Sequence, residues 1–190
     1  MKKNSNKSKI LISILIIFLM ITSVLGFISL SSTSTKINYK GLKFKNIDDR
    51  WIAIINNQQI SLAFSPEELP NNPTIISLND LNSAQKIYVT SNPTENTQQA
   101  QIEFFNNLIP FLSPILIQAC TEDIPQCSEK PLKTCQDATP TTKIILFKES
   151  NQTLINYQNN CLTIQGKGQD LIKKIDSLVL YILGLKWKSF

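Results

Sequence analysis

The chain has 190 residues, 19 Lys+Arg against 14 Asp+Glu, four Cys and no His. Without histidine there is no Ser-His-Asp or Cys-His catalysis and no His-ligated metal. Lys2, Lys3, Lys7 and Lys9 precede the first apolar run and supply most of the net charge of +5, so the rest of the chain is nearly neutral and carries no footprint for a nucleic acid.

Residues 10–30 read ILISILIIFLMITSVLGFISL, 21 positions without a charge. At about 1.5 Å per residue such a run crosses roughly 30 Å of hydrocarbon, and it has no polar face of the kind a core helix shows. It is longer than the apolar core of a secretory signal, and Val24-Leu25-Gly26 is a mediocre cleavage context, so the run reads as an uncleaved signal anchor. The expected order is a basic cytoplasmic tail (1–9), a transmembrane helix (10–30), a linker (31–37) and one extracytoplasmic α/β domain (38–190). The orientation follows from the lysines before the span and the clustered cysteines after it. The expected partners are the lipid bilayer, through residues 10–30, and an envelope protein; no nucleic acid, cofactor or metal is expected.

In the outer domain Asn38–Lys45 looks like a strand. Trp51–Ile55 and the alternating Gln58–Phe64 flank Asn56-Asn57, a doublet that tolerates positive φ, and predict a hairpin. Ser65-Pro66-Glu67-Glu68 reads as a capping box on a short helical turn, which explains the two glutamates better than a catalytic carboxylate pair does. Lys86–Thr90 is a short β run. A helix of about 15 residues is predicted after Asn92-Pro93-Thr94-Glu95, with Ile102, Phe105 and Ile109 as its apolar stripe and Phe104 and Leu108 beside them, before a second β run at Pro114–Ala119. Strand, helix, strand is a βαβ unit with parallel strands.

Cys120 to Pro140 is polar and proline-punctuated, and reads as loop. Lys143–Phe147 and Thr153–Tyr157 are expected to pair as a hairpin, followed by an extended Cys161–Ile164. Gly166-Lys167-Gly168 breaks the chain and suits a plain turn better than an anion cradle. A helix from about Asp170 to Leu183 carries seven large aliphatics on a wide stripe, with Gly184 as its C-cap. Asp48-Asp49 and Glu122-Asp123 are turn residues. Trp51 is expected in the core and Trp187 at a membrane or partner surface.

The fold class is therefore α/β: an N-terminal transmembrane helix, then one mixed-sheet domain ordered hairpin, βαβ, loop, ββα. From Lys86 to Leu185 that order resembles the thioredoxin-like arrangement. The position where that family carries its redox Cys-x-x-Cys reads Ser91-Asn92-Pro93-Thr94, so the resemblance lends topology and no activity.

Cys120, Cys127, Cys135 and Cys161 contain no C-x2-4-C pair for zinc and no C-x-x-C dithiol. Four cysteines outside the cytoplasm read as two structural disulfides, with three connectivities open. Cys120–Cys127 with Cys135–Cys161 is preferred, because the expected final hairpin would bring the latter two together. Asn151-Gln152-Thr153 is an N-glycosylation sequon in a turn, usable only on the far side of a membrane.

The anchor, Ala119-Cys120, Pro131–Ala138 (PLKTCQDA), Asn160–Gly166 (NCLTIQG) and the terminal Leu183-Gly184-Leu185 together resemble small membrane-anchored proteins of archaea with AT-rich genomes. That family has no known activity to lend. The expected function is a membrane-anchored, disulfide-stabilised binding or envelope-assembly domain; the alternative is a divergent thiol–disulfide exchange protein using Cys120 or Cys135.

Overall fold

The computed structural model describes residues 12–22, 35–70 and 76–185, and the chain divides into two units, 1–35 and 36–190. In the first unit residues 12–22 form helix α1, whose isoleucines and leucines are exposed. This helix lies inside the expected span; positions 10, 11 and 23–30 fall outside the described residues, as does Trp187. Among the described residues no helix is long and apolar enough to cross a membrane.

The second unit opens with an antiparallel meander of β1 (Lys36–Tyr39), β2 (Leu42–Ile47), β3 (Arg50–Ile55) and β4 (Gln58–Leu62). Asn38–Lys45, expected as one strand, is two: the chain reverses at Lys40-Gly41, with φ of 51° and 84°. Asp48-Asp49 and Asn56-Asn57 make the other two turns, again with both residues left-handed, the conformation that matches the twist of a two-residue hairpin. Phe44, Ala53, Ile60 and Leu62 alternate onto one buried face. At Ser65 the expected capping box does not form: Pro66–Glu68 is a single 3-10 turn with no side-chain cap. The capping box lies instead at Ser77 and Asp80, on the short α2 (Leu78–Asn82).

The second sheet has the order β6-β5-β7-β9-β8. Here β5 (Lys86–Ser91), α3 (Gln98–Leu108) and β6 (Ile115–Cys120) are the expected βαβ unit, with β5 and β6 parallel. The final hairpin differs from expectation. β7 (Thr142–Glu149) does not pair with β8 (Leu154–Gln158); β9 (Cys161–Gly166) lies between them, parallel to β7 and antiparallel to β8. The chain skips a place, turns at Asn159-Asn160 (φ 50° and 62°) and fills the gap. Composition explains the exchange. β9 buries residues on both faces, as an interior strand must, whereas β8 alternates exposed Asn156 and Gln158 with buried Ile155, as suits an edge. The thioredoxin-like reading needed the β7–β8 hairpin and does not describe this sheet.

Ile87, Val89, Ile145, Phe147, Leu162 and Ile164 share one face of this sheet and join one core with Phe104 and Leu108 of α3 and the aliphatic stripe of α4 (Gly168–Ile182). The buried face of the first sheet enters the same core and meets α3 and α4 along β4. α4 ends as expected: Gly184 (φ 93°) donates to the Tyr181 carbonyl and Leu185 to the Leu180 carbonyl, the Schellman pattern.

Gly166 ends β9 where the β7–β8 connection passes over it. Its φ is +149°, and a Cβ there would lie 2.9 Å from Thr153 Oγ1 and 3.3 Å from Leu171 Cβ. Gly166→Ala should therefore destabilise the domain by about 1–3 kcal/mol, read as a lower melting temperature. An unchanged melting temperature would show that the crossing has room to spare.

Candidate functional site

Three places gather polar or reactive groups. The first is the segment between β6 and β7. It contains two 3-10 turns, Pro125–Cys127 and Cys135–Asp137, and no longer element. It lies on the face of the second sheet opposite the helices. Thr90, fully buried, donates its hydroxyl to the Lys133 carbonyl at 2.7 Å; Lys133 Nζ stands 5.5 Å from the centre of the Tyr88 ring; Cys135 Sγ contacts Thr163 Oγ1 at 3.7 Å. Pro131 and Lys133 bracket Cys120 as the start of an extra parallel strand: the Cys120 N–H donates to the Pro131 carbonyl and the Lys133 N–H to the Cys120 carbonyl.

Two disulfides close this segment, Cys120–Cys127 (Cα–Cα 6.0 Å) and Cys135–Cys161 (5.3 Å). This is the preferred pairing, though the reason given for it does not hold. Cys161 lies beside Ile144 because β9 is the parallel neighbour of β7, and Cys135 precedes β7 on the same face. Cys120, Cys127 and Cys161 are buried; Cys135 is half-buried.

The second place is a cleft of about 240 Å³ at the carboxyl ends of β5 and β6, walled by Cys120 and by the start of α3. Ligands of open α/β sheets bind outside such strand ends. Asn92 Oδ1 accepts from the Thr94 N–H and hydroxyl, and Gln101 Nε2 donates to Ser91 Oγ and Thr97 Oγ1, both at 3.1 Å. Glu95 accepts from the Glu149 N–H, and Glu149 in turn from the Asn96 N–H, clasping the β5–α3 loop to the end of β7. Glu95 and Lys130 are the charged residues of the lining; amides and hydroxyls make up much of the rest. The chemistry suits a small polar solute and offers no activated nucleophile.

The third place was not anticipated. Arg50, the only arginine in the chain, makes a bidentate ion pair with Glu103 at 2.8 and 2.9 Å and also donates to the Ser61 hydroxyl and carbonyl. Asn107, one turn along α3, accepts from the Ser61 N–H at 2.7 Å and donates to the Ser61 carbonyl at 3.1 Å. Asp176 of α4 accepts from the N–H groups of Ala63 and Phe64 through Oδ2. These side chains complete the backbone of β4, an edge strand that meets helices instead of another strand.

Burial, then the negative Glu103 alongside, pushes the Asp176 carboxyl up to about 8, against the opposing pull of the Phe64 and Ala63 N–H groups. Its Oδ1 has no donor to accept from. That is what a protonated oxygen requires, since it can then donate to Glu103. Glu103 in turn is held by its ion pair with Arg50.

The buried face of α3 is centred on Phe104 and Leu108 of the expected apolar set, and Glu103 and Asn107 are buried with them, whereas Ile102 and Ile109, expected to lead the stripe, are each 51% exposed. The signal was present: Glu103 and Asn107 stand i, i+4 beside the buried aromatic, and Asp176 falls inside the aliphatic stripe at Ile172 plus four. Asn151 is exposed in the β7–β8 connection, where its Oδ1 accepts from Lys167 Nζ. No protein family, curated protein or solved structure matches this chain.

An acid that is protonated when folded and ionised when unfolded makes stability fall as pH rises between the two pKa values. Wild-type melting temperature should thus decline from about pH 4 to about pH 8. Asp176→Asn keeps an acceptor for Ala63 and Phe64 and a donor for Glu103, and should flatten that decline so that the variant matches or exceeds wild type at pH 8. Parallel pH profiles for the two proteins would show that Asp176 is ionised in the fold.

Proposed function

We propose that this chain is a disulfide-stabilised domain tethered to the outer surface of an archaeal membrane, where it binds a small polar ligand or an envelope protein. The observation that carries the reading is the use of all four cysteines in two bonds, one of which fixes a long irregular segment over a sheet face. Such bonds persist in oxidising compartments. The uncharged run of residues 10–30 supplies the tether and the lysines before it the cytoplasmic end. The cleft beside Cys120 is the place for the ligand, and Asn151 is open to a glycosyltransferase in a host that has one.

A second reading is thiol–disulfide exchange. It is favoured by one observation: Cys135 and Cys161 line a surface cleft of about 320 Å³, within reach of another protein's thiolate. Cys120–Cys127, with both residues buried, remains structural on this reading.

Two measurements test the assignment. The protein should stay with membranes through an alkaline wash and require detergent for release, and protease added to intact cells should digest the domain from outside. Alkylation without reductant should find no free thiol. A soluble mature form beginning near Phe27 would contradict the tether, and free thiols in freshly isolated protein would contradict the oxidising compartment. Rapid reduction of Cys135–Cys161 alone by a dithiol protein would favour exchange.

A further inference from the structure

We propose that the outer face of the β1–β4 meander is a docking surface for an anionic membrane. This docking presupposes the tether proposed above and adds which face of the domain meets lipid.

Alternation along the strands assigns the two faces of the meander. Phe44, Ala53, Ile60 and Leu62 fill the core. The opposite face carries Lys36, Lys43, Lys45, Ile47, Ile52 and Ile54. The three lysines, Ile47 and Ile54 are exposed. Ile54, at 66%, is the most exposed large apolar side chain among the described residues of the second unit. A solvated sheet face ordinarily turns polar residues outward, and this one sets isoleucines beside lysines.

The lysines are not neutralised. Lys36 stands directly opposite Lys45 in the pairing of β1 with β2, and Lys43 is two positions along on the same face. Like charges directly opposite destabilise a sheet. No acid shares this face; Asp48 and Asp49 occupy the turn beyond Ile47. Among the described residues none of the three lysines has an ion pair. The other two cations of the meander are engaged elsewhere: Lys40 donates to the Leu185 carbonyl, and Arg50 pairs with Glu103. Residues 36–62 hold five cations and two acids, whereas 63–190 hold more acids than cations, so positive charge is concentrated on the meander. Ammonium groups complement lipid phosphates, and aliphatic side chains between them gain by entering the headgroup layer.

The tether selects a membrane over an acidic protein. The apolar run ends at residue 30 and β1 begins at Lys36. Five residues reach at most about 18 Å, and β3 lies only about 10 Å from β1. Lipid is therefore always within reach of this face, and docking becomes an intramolecular step.

The test uses the full chain in vesicles of phosphatidylcholine, with or without phosphatidylglycerol, brominated along the acyl chains. Ile54→Trp places a fluorophore on the face, and Ile115→Trp places one at an exposed position of the second sheet. On anionic vesicles Ile54→Trp should be quenched well beyond Ile115→Trp, and about 0.5 M salt should remove the difference. Adding Lys43→Gln and Lys45→Gln to Ile54→Trp should lower the docked-to-free ratio at least tenfold, at about fivefold per lysine. Lys86→Gln with Lys148→Gln, exposed positions of the second sheet, should leave it within about twofold. Flotation with the neutral vesicles reports the tether alone. A chain that floats with them yet shows equal quenching of the two tryptophans on anionic vesicles overturns the docking and leaves the tether standing. A chain that does not float with them overturns the tether, and the docking with it. Equal losses from the two lysine pairs would show attraction through net charge and overturn the assignment to this face.

Discussion

A strand that runs parallel to its neighbours in the middle of a sheet has to be covered on both faces, and that requirement organises this domain. β5, β7 and β9 turn Ile87, Ile145, Phe147, Leu162 and Ile164 toward the helices and Thr90, Ile144 and Cys161 away from them. The helices α3 and α4 meet the first demand in the usual way. The second is met by the segment between β6 and β7, which has too little regular structure to hold its own shape. The cross-links supply what it lacks. In the chain-entropy account, closing loops with sequence separations of 7 and 26 is worth about 2.5 and about 3.5 kcal/mol. These are sizeable shares of a typical domain stability of about 5–15 kcal/mol.

The same economy of regular structure appears at the junction of the two sheets. β4 ends its sheet against helices, which have no backbone donors or acceptors to spare. Asn107 and Asp176 take the place of a fifth strand, and Arg50, paired with Glu103, also donates to the Ser61 carbonyl. Burying two carboxyls is costly, and the same burial raises the Asp176 carboxyl pKa, which favours its neutral form and lowers that cost. The arrangement ties the meander to the helices through the N–H groups of Ser61, Ala63 and Phe64. It thus serves registration between the two sheets more than net stability.

Much of this was legible in the amino acids and some was not. The hairpin at Asn56-Asn57, the βαβ unit and the last helix follow from alternation, turn doublets and a stripe, which are local signals. The doublet Asn159-Asn160 carried the same signal as Asn56-Asn57 and went unread, because Lys143–Phe147 and Thr153–Tyr157 look like partners when only adjacency is considered. What decides between β8 and β9 is burial on both faces, a property of the finished sheet. The Arg50, Glu103 and Asp176 cluster brings together residues 53 to 126 positions apart in sequence, so no spacing rule reveals it, although a lone arginine and an aspartate inside an aliphatic stripe mark the places to look. The disulfide pairing was reached from a wrong hairpin, since any arrangement that sets Cys161 beside β7 also brings it near Cys135. The apolar run is a property of composition over 21 residues, of which 12–22 form helix α1.

The central claim is that a cross-linked loop stands in for a helical layer over the parallel sheet. Hydrogen exchange at the Cys120 and Lys133 amides, before and after reduction of both disulfides, tests it most directly, because each amide exists as a hydrogen bond only while the loop lies on the sheet. The account predicts that reduction releases these two amides at a mildness that leaves the Ile145 and Leu162 amides slow. If Cys120 and Lys133 exchange as slowly in the reduced protein as in the oxidised one, the loop holds its place without the bonds and the account is wrong.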